Sequence, residues 1–145
     1  MVAIQAVVIA LGLYAVTFPW WLKPDPKAGA WRFTPVSAAP ADESGQLVRY
    51  GAELISRTSA YLGPDAVDPQ MRIAGNRLAC GNCHLDAGTK QDAIGYVGIM
   101  HRFPQFNARA GRVITIEDRI NGCFERSLAG RRLNNDSQEI RAMVA

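Results

Sequence analysis

Two stretches of this chain carry apolar residues at helical spacing. In residues 42–63, "DESGQLVRYGAELISRTSAYLG", Leu47, Leu54 and Ile55 recur at i, i+7 and i+8, with Val48 beside them. Residues so spaced share one face of a helix. Asp42 and Ser44 precede the run as cap residues, so the pattern predicts a helix from about Asp42 to near Thr58. Gly51 lies inside it, at a cost of about 1 kcal/mol against alanine. It is either a tolerated weak spot or the place where another helix crosses closely.

The second stretch is clearer. Ile116, Ile120, Phe124 and Leu128 recur every four residues as a packing stripe. Thr115 with Asp118 makes a capping pattern, and Gly130 suits a C-terminal stop. Arg119, Cys123 and Ser127 form a parallel stripe, which puts a guanidinium, a thiol and a hydroxyl along one edge of this helix. A last helix is expected after Asp136 and Ser137, running to Ala145. No strand pattern of any length is evident.

The first 22 residues follow a different rule. Met1 to Leu22 contain no charged residue. As a helix they would reach roughly 33 Å, enough for a bilayer core of about 30 Å. Trp20, Trp21 and Lys23 stand where interfacial anchors belong. A cleaved signal peptide needs a basic start and a small-residue cleavage site; no basic residue precedes the run, and "FPWWLKP" closes it. The expectation is a transmembrane anchor over 1–22. A Pro- and Ala-rich tether over 23–45 follows, in which Trp31 and Phe33 are candidates for docking, and then a domain over 46–145.

Chemistry enters at Cys80. "CGNCH", Cys80 to His84, is a C-x-x-C-H motif, the signature of c-type haem attachment. The two cysteines reach the porphyrin vinyl groups, and the adjacent histidine offers its imidazole to the iron. A zinc site would need a second ligand pair, and only Cys123 and His101 remain, far apart in sequence. Cys80, Cys83 and His84 are thus the cofactor residues, and one covalent haem c is expected. The fold expectation is all-α: a small class I-like cytochrome c domain with long loops behind one transmembrane helix. Covalent haem implies the outer side of a bacterial cytoplasmic membrane, so the chain is expected to be single-pass, with its haem domain in the periplasm.

For the iron's sixth position the candidates are Cys123, Met100, His101, Met143 and Met71. With Cys80 and Cys83 taken by the motif, no cysteine is available to pair with Cys123, and Arg119 and Arg126 flank it and favour its thiolate. A buried, inert cysteine is the competing reading. The formal net charge is +3, and seven arginines lie between Arg102 and Arg132. Without a nucleic-acid-binding motif these suit small anions and carboxylates better than nucleic acid.

"RYGAELISRTSAYLGP", "CGNCHLDAGTK", "FPQFNARAGRV" and "IEDRINGCFERSLAGRRL" together resemble the haem domain of the thiosulfate dehydrogenase family. That family is related to the haem subunit of the sulfur-oxidising thiosulfate multienzyme system. The resemblance implies that Cys123 is the distal haem ligand and that Arg109, Arg119 and Ser127 line a substrate pocket. It also implies joining two thiosulfates into tetrathionate with release of two electrons. Such enzymes usually carry a second haem domain, and this chain has no second C-x-x-C-H. Two functions follow. One is a membrane-anchored electron carrier, subunit of or donor to a membrane redox or photosynthetic complex. The other is a thiosulfate-oxidising enzyme that passes electrons to a partner protein.

Overall fold

The computed structural model describes Gly29 and residues 31–145. The expected anchor and the first part of the tether lie outside the described residues. Among those described, no helix is long and apolar enough to cross a membrane.

Four helices organise the domain: α1 (Glu43–Ser56), α2 (Thr58–Leu62), α3 (Ile116–Arg126) and α4 (Gln138–Val144). Asp42 caps α1, its side chain accepting from the Gly45 amide, while the Ser44 hydroxyl donates to the same carboxylate and props it. Thr115 caps α3 through the Asp118 amide, and Ser137 caps α4 through that of Ile140. α1 stops two residues short of the expected end. The backbone breaks at Arg57, and Thr58 starts α2 with its side chain fully buried. Its hydroxyl donates to the Leu54 carbonyl and accepts from the Cys80 amide.

The core gathers Leu54 and Leu62, Ile73 and Ala74, Phe124 and Leu128, and Ala142. Ile120 and Leu47 pack against it, as the two apolar stripes require. α1 and α4 cross at Gly51, where an added methyl group would overlap the Ala142 carbonyl. Of the two readings of Gly51, the close crossing is the one the structure holds.

Two expectations need correction. A short antiparallel hairpin is present, β1 (Gln105–Asn107) with β2 (Arg112–Ile114), Phe106 pairing with Val113. Strands of three residues are too short for alternation to register, and only Ile114 among them is buried. Gly130 is not the stop of α3. Ala129 takes the left-handed turn, at φ 50°, and Gly130 leaves room for the Ile73 carbonyl instead.

The segment ahead of α1 is packed. Arg49 donates to the carbonyls of Ala39 and Pro40, and a side chain at Gly45 would overlap Pro40. Trp31 is half-buried, whereas Phe33 is 56% exposed.

Candidate haem and anion site

Cys80 begins a single 3₁₀ turn, Cys80–Asn82, closed by the Asn82 side chain accepting from the Ala79 amide. The Thr58 hydroxyl also lies 3.5 Å from Cys80 Sγ, so α2 holds the motif's first cysteine at both backbone and sulfur. Burial pushes the free Cys80 thiol up, opposed by the Thr58 hydrogen bond and reinforced by the charge of Cys123.

His84 follows at the turn's end. Its Nδ1 lies 2.6 Å from the Ile94 carbonyl oxygen. A carbonyl only accepts, so Nδ1 carries the proton and Nε2 is left as the basic nitrogen. The Tyr96 ring lies over the imidazole, with centroids 4.5 Å apart and planes at 31°. The Tyr96 phenol is pushed up chiefly by burial, then by charge on Cys80, Cys123 and Cys83, and is pulled back by Arg119. The three sulfurs and the Arg119 guanidinium therefore share the surroundings of this one ring.

The residues fit a haem. Cys80, Cys83 and Cys123 are all free thiols. Leu78, Leu85, Ile94, Val97 and Met100, from the same stretch as His84, are 40% to 64% exposed. Apolar side chains concentrated in this way mark a surface that a ligand covers. Cys80 and Cys83 would hold the porphyrin edge and His84 Nε2 the iron. Among the candidates for the opposite side, Cys123 is half-buried on α3. Met143 and Met71 pack against the core. Met100 and His101 are exposed on the turn Ile99–Arg102.

Alongside α3 lies an open cavity of ≈ 430 Å³, lined by Asn107, Arg109, Arg119, Arg126 and Ser127. The structure thus brings Arg109, Arg119 and Ser127 into one place. Arg119 and Arg126 come from α3, and Ser127 caps its C-terminus. Arg109 comes from the turn of the hairpin, which Asn107 organises. Its backbone and side-chain oxygens accept from the Ala110 amide, and the backbone oxygen also accepts from Gly111. Asn107 had no sequence signal beyond being a turn residue.

The neighbouring arginines are different. Arg112 and Arg132 share Asp118 at 2.8 and 2.9 Å, and Arg132 also reaches Glu125. Arg112 first, with Arg132 and Asn135, holds the Asp118 carboxyl far below the usual carboxylate range, against the effect of burial. Among the described residues Arg109, Arg119 and Arg126 form no ion pair. One arginine cluster is neutralised from within, and the other carries no such partner among the described residues.

The SoxA/TsdA cytochrome c domain family matches residues 72–145, just over half of the chain. Thiosulfate dehydrogenase of Allochromatium vinosum is 43% identical over 110 residues, which are 73% of this chain and 38% of the relative. That of Psychrobacter arcticus is 39% identical, over 75% of this chain and 31% of the relative. The match therefore spans about a third of the length of the curated relatives, from 30% to 38%. Among solved structures, the thiosulfate dehydrogenase TsdBA from Marichromatium purpuratum, in its "as isolated" form, superposes with a TM-score of 0.69 at 29% identity. The match covers 82% of this chain and 26% of that one.

Proposed function

This chain belongs to the SoxA/TsdA cytochrome c domain family, which makes it a c-type cytochrome with covalent haem and an electron-transfer function, and from that premise we propose that it oxidises a small sulfur oxyanion. The substrate is thiosulfate, two of which join as tetrathionate while two electrons pass to a partner redox protein. The observation that carries the reading is the trio of Arg109, Arg119 and Arg126 beside Ser127, three arginines that form no ion pair among the described residues.

Cys80 and Cys83 would hold the haem by thioether bonds, and His84 and Cys123 would hold its iron. The haem supplies a one-electron acceptor. The chain supplies the rest. Three guanidiniums in one open cavity repel one another, and a dianion relieves that repulsion while taking charge-assisted hydrogen bonds from each. The Ser127 hydroxyl and the Asn107 amide add neutral donors. Arg119 and Ser127 flank Cys123 four residues to either side, so an anion on them is held beside the thiol.

The electron carrier remains the second reading, supported by the uncharged run over residues 1–22, which would tether the domain at a periplasmic membrane face beside a membrane complex. One experiment separates the two. Anaerobic thiosulfate added to the isolated oxidised protein reduces the haem and yields tetrathionate if the chain is an enzyme. Reduction by dithionite but never by thiosulfate leaves the carrier.

A further inference from the structure

The hydrogen bond from His84 to Ile94 depends on a short loop, and that loop has a cover. Gly95 lies between the two residues that touch the imidazole: Ile94, whose carbonyl accepts from Nδ1, and Tyr96, whose ring lies over it. On Gly95 rests the Trp31 indole. A side chain there would run into Cζ3 and Cη2 of that ring. Trp31 is fixed at its other end too, its amide donating to Gln91 Oε1 at 3.3 Å. The loop is closed from below by Tyr96, whose amide donates to the Gly88 carbonyl and whose ring packs on Gly88 so closely that no side chain could stand there.

We propose that Trp31 is a positioning residue for His84, acting through Gly95 to hold the Ile94 carbonyl against Nδ1. The physical reason is that a flat, large ring on a glycine fixes backbone that has no side chain of its own to anchor it. The Nδ1–H bond to a carbonyl fixes the ring's orientation and raises its basicity as a ligand. A more basic ligand favours the ferric haem, so loosening the bond raises the reduction potential.

This inference rests on the reading that His84 is a haem ligand. The holoprotein with Trp31→Ala is therefore compared with the parent by redox titration and by NMR of the His84 ring proton. The potential is expected to shift upward, and the Nδ1 proton to exchange faster with solvent. Trp31→Phe restores most of the parent value. Gly95→Ala, which drives the indole off its seat, shifts the potential in the same direction and serves should the Trp31→Ala protein not fold. Phe33→Ala, exposed in the same segment, leaves both readings unchanged. Parent-like potential and exchange in both Trp31→Ala and Gly95→Ala, with histidine ligation intact, overturn the inference. A parent protein whose spectrum lacks histidine ligation overturns the ligand reading instead.

Discussion

Gly51 of α1 and Ala142 of α4 meet backbone to backbone, with no space for a methyl group between the glycine and the Ala142 carbonyl. The two terminal helices of the domain cross at this point and cover one side of the core that carries Leu54. Gly51→Ala is a direct test. Helix propensity alone would stabilise by about 1 kcal/mol. Overpacking at a backbone contact costs typically 1–3 kcal/mol. The net result is expected to be a loss, read as a lower urea midpoint with unchanged slope. An equal or higher midpoint would sink the crossing.

Asp118 provides a second test, on acid stability. Its folded carboxyl is held down by Arg112, Arg132 and Asn135, below its value in the unfolded chain. The unfolded state therefore binds a proton first as pH falls. The stabilisation is complete above roughly pH 4 and is lost as pH drops through the folded value. Asp118→Asn is expected to cost about 0.5–2 kcal/mol at pH 7, because two half-exposed arginines each lose an ion pair worth about 0.2–1 kcal/mol. It should also flatten the stability curve below pH 4. A variant with the parent's acid slope would place the sensitivity elsewhere.

Much of this was legible from residue spacing, and the failures have physical causes. The stripe of Ile116, Ile120, Phe124 and Leu128 and the cap at Thr115 are local features, and the structure holds both. C-x-x-C-H spells its own chemistry. The hairpin was missed because its register comes from a turn built by Asn107, not from alternation. Thr58, Tyr96 and Trp31 act on residues 22, 12 and 64 positions away, on Cys80, His84 and Gly95. Nothing in a single sequence marks a contact at such separation. Gly130 misled for a related reason: its small size serves a passing strand of chain, Ile73, and the helix end fell to Ala129.

The anion cavity is tested by removing one charge at a time. Arg109→Gln, Arg119→Gln and Arg126→Gln should each lower kcat/KM for thiosulfate by about 10- to 100-fold, since a lost charge-assisted bond is worth about 1.5–3 kcal/mol. Arg57→Gln removes a cation already paired with Glu53 on α1, outside the cavity, and should leave turnover as it is. Equal kinetics in all four variants would take the arginines out of the site.

Cys123 is the sharpest remaining test. It stands on α3 between Arg119 and Ser127, and its charge is felt at both Cys80 and Tyr96. If it holds the iron opposite His84, it does so as a thiolate, whose negative charge favours the ferric state. Cys123→Met replaces that ligand with a neutral thioether, so the reduction potential should rise. Cys123→Gly should leave the position open, with cyanide binding faster to the ferric protein. The parent's ferric spectrum should contain a thiolate-to-iron charge-transfer band that both variants lack. The Gly variant alone cannot distinguish a lost ligand from a disturbed helix, because Gly122 already precedes it on α3. The Met variant can, since it fills the site and restores hydrophobic contact. A Met variant with parent potential and parent spectrum would make Cys123 a packing residue. The exposed turn bearing Met100 and His101 would then be the place to look for the sixth ligand.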